Sequence, residues 1–357
     1  MINSKKTVVV GMSGGVDSSV TALLLKEQGY RVIGLFMKNW EENDEQGKCR
    51  SSQDYEDVVK VCEQLRISYY SVNFVNEYWE KVFAHFLEEL KLGFTPNPDI
   101  LCNREIKFKL FLEKAIDLGA DFLATGHYSQ IQKNSNGLKL MKGIDPNKDQ
   151  SYFLYTLKQE SLQKVLFPIG GLEKSEVRRI AETHNLATCA KKDSTGICFI
   201  GKRDMKEFLS RYIPFQPGNF ENLNGQIIGQ HDGVAYYTIG QRKGLRIGGP
   251  GEAWFVIRKD VARNVVIIDQ GPDHPSLYSN ALTASDLSWV AGTPPFPLPY
   301  HCKAKVRYRQ PDQECIITSI ENGCAHVSFS QPQRAVTPRQ SIVFYENDIC
   351  LGGGIIL

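Results

Sequence analysis

Apolar residues fall into two textures along the chain. In the first half, short β-branched runs alternate with stretches whose apolar positions recur every three or four residues. Thr7–Met12 is a run of the first kind, and Val20, Leu23 and Leu24 begin a pattern of the second. Further runs at 31–37, 67–74 and 121–125 predict strands, and the spacing at 54–65, 77–92 and 105–118 predicts helices. Within 54–65, Val58, Val61, Cys62 and Leu65 share one face. Such alternation implies βαβ units, a parallel sheet and right-handed crossovers, hence an α/β fold. Helical spacing continues through 173–184 and 202–211, and then the texture changes. Pro214, Pro217 and Gly218 punctuate the chain, and short β-type runs follow at 234–239, 253–257 and 265–268. A second punctuation at 271–275 precedes another β-rich stretch. Boundaries near 210 and 275 therefore divide the chain into an α/β domain (1–210) and two small β-rich modules (211–275 and 276–357).

Composition narrows the classes. The chain has 357 residues and a net charge of +2, so there is no global basic signal for a nucleic acid or an anionic membrane. No apolar run approaches the roughly 18 residues of a membrane span. The first residues lead straight into Val8-Val9-Val10-Gly11, which does not read as a signal peptide; a cytoplasmic protein without membrane partners is expected. Nine cysteines without a secretory signal do not form a disulfide framework, and no Cys-x-x-Cys pair points to zinc, so no metal site is expected.

The sharpest local signal is Gly11-Met12-Ser13-Gly14-Gly15-Val16-Asp17-Ser18-Ser19, between a buried strand and a helix. Glycines let the backbone approach an anion, and the helix N-terminus offers unpaired N–H groups and positive dipole. Ser13 and Ser18 add hydroxyls, while Asp17 suits Mg²⁺ or a helix cap. No Gly-Lys-Ser/Thr follows, so this is not a Walker loop. Ser-Gly-Gly-Val-Asp-Ser resembles the pyrophosphate loop of the ATP pyrophosphatase (PP-loop) superfamily, whose members adenylate a substrate oxygen with ATP. The superfamily holds amide-forming synthetases as well as tRNA thiolases, and this motif does not choose between them.

Two cysteines do. Cys102 lies in Asn97-Pro98-Asp99-Ile100-Leu101-Cys102-Asn103, read as a loop ahead of the helix at 105–118. Cys198 lies in a second polar loop, 193–201, beside Lys191, Lys192 and Lys202. Nearby cations and helix N-termini favour a thiolate. Cys62 and Cys315 fall in apolar-patterned elements, and neither Cys49 nor Cys189 has an evident chemical role. With Thr125-Gly126-His127-Tyr128, Lys148–Leu154, Thr238–Leu245, Arg307-Tyr308-Arg309-Gln310 and Leu351–Gly354, these motifs follow one another in the order found in bacterial tRNA-specific 2-thiouridylases, which the chain resembles over nearly its whole length.

The resemblance implies a PP-loop domain followed by two β-rich modules, the last a tRNA-contacting β-barrel. It implies ATP-dependent thiolation of the wobble uridine (position 34) in tRNAs for Lys, Glu and Gln. ATP, accompanied by Mg²⁺, would be held by residues 11–18, Met37 and Gly126. A persulfide on Cys198, loaded by a sulfur-relay protein or a cysteine desulfurase, would carry the sulfur. Cys102 would be the partner thiol, resolving the transfer through a Cys102–Cys198 disulfide, with Asp99 as acid/base. Asn97, Pro98, Asp99, His127, Lys148, Asp149, Gln150, Arg307, Tyr308 and Gln340 would contact the tRNA. The alternation at 301–309 adds a reading of its own. In a strand, Lys303, Lys305, Arg307 and Arg309 share one face with no carboxylate among them, which suits a phosphate backbone. Arg242, Lys243 and Arg246 form a second basic cluster. One departure stands out: Thr337-Pro338-Arg339-Gln340 replaces the family's usual Thr-Pro-Gly-Gln, so either the turn differs or Arg339 adds a phosphate contact.

Overall fold

The structure is a computed structural model that describes residues 5–41, 50–135, 137–193, 196, 198, 200 and 204–357. Along the chain come β1 (Thr7–Met12), α1 (Val16–Glu27), β2 (Arg31–Lys38), α2 (Arg50–Leu65), β3 (Ser68–Asn73), and two long helical runs, α3 (75–91) and α4 (98–117). There follow β4 (Phe122–Ala124), the hairpin β5 (Ser129–Asn134) and β6 (Gly137–Lys142), β7 (Val165–Leu166), α5 (Lys174–Thr183) and α6 (Met205–Ser210). Strands β3-β2-β1-β4-β7 pair in that order, all parallel. Both faces of this sheet are covered, as a parallel sheet requires. Val9, Ile33, Leu35 and Met37 pack under α3 and α4 on one side. Val8, Val10, Val32 and Phe36 pack against α1, α2 and α5 on the other. The strand order reverses between β1 and β4, and a crevice outside the carboxyl ends at that point is where such sheets bind ligands.

The β-rich half resolves into two sheets. One is four-stranded, in the order β10-β11-β8-β9, from β8 (Gly218–Glu221), β9 (Ile227–His231), β10 (Trp254–Asp260) and β11 (Val265–Gln270). The other runs β12-β15-β14-β13-β16-β17, from β12 (Tyr278–Trp289), β13 (Tyr300–Lys305), β14 (Gln313–Glu321), β15 (Cys324–Arg334), β16 (Ser341–Glu346) and β17 (Ile349–Ile356). Pairing of β12 with β17 closes these six strands into a barrel around Ala304, Ile317, Val327 and Phe344. The expected α/β sheet followed by β modules ending in a barrel is therefore present.

Three local expectations need correction. The hairpin β5–β6, absent from the sequence reading, pairs with β17 and so belongs to the barrel sheet, not the parallel one. Residues 98–101 are helical, not loop: the Asn97 side chain accepts the Asp99 N–H at 3.2 Å and Pro98 takes the first turn, where its missing donor costs nothing. The basic stripe ends at Lys305, where β13 stops. Lys303 lies 3.3 Å from Glu314, Lys305 lies 3.5 Å from Asp149, and Arg307 donates to the carbonyls of Ile239 and Ala335, so these cations are already partnered.

Candidate active site

The loop from β1 into α1 has the form an anion site needs. Gly15 caps α1 without a side-chain hydrogen bond, leaving the first-turn N–H groups uncapped by any side chain. Ser18 Oγ folds back to Gly15 O at 3.0 Å and sits 3.2 Å from the Ser13 N and Oγ, which fixes the loop. Gly14 has φ +71° and packs so closely on Asp54 that a Cβ there would lie 2.4 Å from its carbonyl oxygen. Gly126, just beyond β4, presses on the same helix start, a Cβ there falling 2.9 Å from the Asp17 backbone. Met37 ends β2 beside them, 8% exposed. Asp17 accepts from Lys174 Nζ at 2.7 and 2.9 Å and from Tyr128 Oη at 2.7 Å, so its carboxylate is engaged by protein groups.

A cation cluster that sequence reasoning missed extends from here. Lys174 reaches Asp193 at 2.9 Å, and Asp193 also receives Lys148 at 2.6 Å and Arg178 at 2.5 Å. Burial would raise the Asp193 carboxyl, but hydrogen bonds from Lys148 and Lys174 bring it to about 2. Asp193 opens the segment that carries Cys198, so one carboxylate ties the base of that segment to the phosphate loop. Ser194, Thr195, Ile197, Phe199, Gly201 and Lys202 lie outside the described residues, as does Cys49.

The two cysteines singled out in the sequence come together. Cys102 and Cys198 are hydrogen-bonded through their thiols, and both are free. The Cys198 N–H donates to Asp99 Oδ1 at 2.9 Å, and Tyr78 Oη donates to the Cys198 carbonyl at 2.9 Å. Their electrostatics differ. The hydrogen bond from Cys102 and the charge of Lys107 draw the Cys198 thiol below its ordinary range. Cys102, wholly buried in a helix and not exposed in a polar loop, is pushed well above it, first by burial and then by Cys198. The expectation that both cysteines lie in polar loops favouring a thiolate is thus corrected for Cys102: the environment favours ionisation of Cys198 and opposes that of Cys102. Burial also raises the Asp99 carboxyl, against the Cys198 N–H and Lys107, which lower it.

Lys107 is the second residue missed. It hydrogen-bonds Cys198, and although burial lowers its ammonium, the charges of Cys198, Cys102 and Asp99 hold it above its ordinary range. His127 lies close by, 8% exposed, its Nδ1 2.8 Å from Thr125 Oγ1 and its ring against Phe108 and Phe167. Burial, and then Lys107, push it well below its usual value, so it is neutral.

From the barrel, Tyr308 packs at a 48° tilt against Phe153 with ring centroids 4.3 Å apart, and the Phe153 carbonyl accepts from Asn103, next to Cys102. Gln340 donates to the Thr95 carbonyl, two residues before Asn97. Arg307 donates to the Ala335 carbonyl and to Thr337 Oγ1 at 3.0 Å within the barrel, and to the Ile239 carbonyl of the middle module. Asp149 and Gln150 face inward. Asp149, 4% exposed, accepts from the N–H groups of Gly143 and Ser151, and Gln150 Oε1 accepts the Tyr128 N–H. Arg339 adopts φ +69°, so the turn is retained despite the missing glycine, and its side chain pairs with Glu89 at 3.0 Å and covers Phe94.

The chain matches the family models described as tRNA methyl transferase HUP domain over residues 6–202, tRNA methyl transferase PRC-barrel domain over 206–270, and aminomethyltransferase beta-barrel domain over 279–356. It is 65% identical to the tRNA-specific 2-thiouridylase MnmA of Protochlamydia amoebophila over 356 residues, covering 99% of this chain and 94% of that one. It is 59% identical to the protein of the same name from Halalkalibacterium halodurans, covering 98% and 94%. Among solved structures, the U34-tRNA thiolase NcsA from Methanococcus maripaludis overlaps 59% of this chain and 68% of its own, at 21% identity and a TM-score of 0.36.

Proposed function

The chain belongs to the tRNA-specific 2-thiouridylases, a family of tRNA sulfurtransferases, and from that premise we propose that it thiolates C2 of the wobble uridine in tRNAs for Lys, Glu and Gln at the expense of ATP. The observation that carries this reading is the pairing of two free, hydrogen-bonded cysteine thiols beside Asp99, in a domain whose first strand opens into an anion-binding loop.

In this reading residues 11–18 hold the triphosphate, with Gly126 against the same turn and the Met37 backbone at the adenine. The uridine C2 oxygen attacks the α-phosphorus of ATP, and pyrophosphate leaves. An outer sulfur carried on Cys198 then attacks C2, and the C2–O bond breaks with release of AMP. Cys102, having given up its proton, attacks the Cys198 sulfur. The S–S bond to the nucleoside breaks, its electron pair forms the C2 thiocarbonyl, and a Cys102–Cys198 disulfide remains. Asp99, kept partly protonatable by burial, exchanges the proton. A protonated, fully buried Cys102 suits a thiol that acts only in this last step.

Mg²⁺ would travel on the phosphates: among the described residues no three His, Cys, Asp or Glu side chains form a metal cluster, and Asp17 is engaged by Lys174 and Tyr128. The α/β unit (1–210) is the adenylating part, the middle module (211–275) a connector and the barrel (276–357) a tRNA support. Asn97, Pro98 and Asp99 meet the target base. Tyr308, Gln340, Lys148 and the buried His127 line its approach, and Arg307 braces the barrel wall. Sulfur reaches Cys198 from a relay protein or a cysteine desulfurase. The test is stoichiometry: with unmodified tRNA, ATP and a persulfide donor, AMP and pyrophosphate should form one for one, and only when tRNA is present. ATP turnover driven by a small amine without tRNA would instead indicate an amide-forming synthetase.

A further inference from the structure

The helix that carries Cys102 is irregular at one place. Residues Cys102–Leu110 form a π-helical segment, in which the Phe111 N–H reaches back to Ile106 O, five residues away, and Phe108 leaves helical φ/ψ. In an α-helix, side chains five residues apart point about 140° apart around the axis. In a π turn, with its i→i+5 bonding, the same pair comes within about 50°. The wider turn is therefore what brings Lys107 round to the side of Cys102, facing Cys198.

The groups around Lys107 come from every neighbouring element. Cys102 and Asp99 lie on its own helical run, and Cys198 on the segment after Asp193. Tyr78 contributes a neutral phenol from α3, and His127 a neutral imidazole from the turn after β4. Lys107 is the cation of this cluster that hydrogen-bonds a sulfur, and its neighbours supply the negative charge.

We infer that Lys107 is the positioning cation of the sulfur chemistry: set against both cysteines by the π turn, its ammonium hydrogen-bonds Cys198 and favours negative charge there, while the proton on Cys102 is kept by burial. This deepens the thiolation reading and rests on it for its biological meaning, but the division of charge is a property of the resting protein. It gives the two sulfurs an order. Cys198 is the nucleophile that takes up sulfur first, and Cys102 stays silent until the charge on Cys198 is consumed.

The test needs neither tRNA nor ATP. Iodoacetamide alkylation of the full chain is followed as a function of pH, with Cys198 and Cys102 read separately by peptide mass. In the wild type, Cys198 should react with a midpoint below that of an ordinary thiol, and well ahead of Cys102. Lys107→Met should raise the Cys198 midpoint by a unit or more and slow its alkylation at pH 7 roughly tenfold. Lys107→Arg, which keeps the charge, should restore most of the difference. If Lys107→Met does not fold, Lys107→Gln, which keeps a hydrogen-bond donor without the charge, takes its place beside the Arg variant. An unchanged midpoint in the uncharged variant, or equal slowing at every pH in all variants, would overturn the proposal. Because alkylation reads sulfur ionisation alone, that failure would leave tRNA thiolation standing, whereas absent thiolation with normal ionisation would count against the functional reading only.

Discussion

Two adjacent glycines of the phosphate loop should respond differently to the same substitution. Gly14 has φ +71°, and a Cβ placed on it lies 2.4 Å from the Asp54 carbonyl oxygen and 3.0 Å from its Cα. Real Cβ atoms almost never approach closer than 3.0 Å, so Gly14→Ala forces the loop or the start of α2 to yield by at least 0.6 Å. A left-handed alanine costs about 1 kcal/mol and overpacking against backbone about 1–3 kcal/mol, together about 2–4 kcal/mol. Gly15 has φ −100°, and its added Cβ meets only Ser13 Oγ at 3.4 Å, so Gly15→Ala should cost less than about 1 kcal/mol of stability. Urea unfolding followed by circular dichroism measures the difference. Equilibrium binding of a fluorescent ATP analogue shows whether the displaced loop still binds nucleotide, and a shift of this size should weaken it by at least tenfold in Gly14→Ala. Equal stability of the two variants, with nucleotide binding by Gly14→Ala unchanged, would refute the packing argument.

Three further outcomes follow from the same reasoning. Arg339→Ala keeps the left-handed strain and loses the Glu89 and Phe94 contacts, so it should be less stable than wild type by about 1–2 kcal/mol, while Arg339→Gly should recover about 1 kcal/mol of that in urea titrations. Asp149→Ala strands the Gly143 and Ser151 N–H groups and leaves the Lys305 ammonium with Asp312 at 3.8 Å, and should cost about 3–5 kcal/mol, so a tRNA-binding defect in this variant would accompany a folding defect visible by circular dichroism. The Asp193 carboxyl falls from 3.8 to about 2 in the folded protein. Its stabilisation, about 1–2 kcal/mol after allowance for its 26% exposure, is present above pH ~4 and lost as pH falls toward 2. The stability difference between wild type and Asp193→Asn should therefore shrink across that window.

The sequence reveals what short-range patterns govern. Apolar runs place β1, β2, β3 and β4 within a residue or two but miss the two-residue β7, and the glycine-serine loop reads directly as an anion site. Long-range pairing is not written locally. Nothing in 129–142 says that its hairpin will pair with β17, and the alternation at 301–309 does not show that the strand stops at Lys305 or that Asp149, far away in the chain, will meet it. The segment at 97–103 was legible in principle, since an Asn followed by Pro and Asp is a helix start, but its asparagine and proline also suit a turn. Lys107 was hidden for a different reason. At α-helical spacing it points away from Cys102, and only the π turn, which has no sequence signature here, brings the two together.

In the proposed reaction, sulfur moves onto a tRNA uridine through Cys198. Unmodified tRNA for Lys, Glu or Gln, incubated with the protein, ATP and a persulfide source and then digested for nucleoside mass spectrometry, tests it most directly. Wild type should yield 2-thiouridine at the wobble position, and Cys198→Ser should yield none. Undiminished 2-thiouridine from Cys198→Ser, or none from folded, ATP-binding wild type, would contradict it.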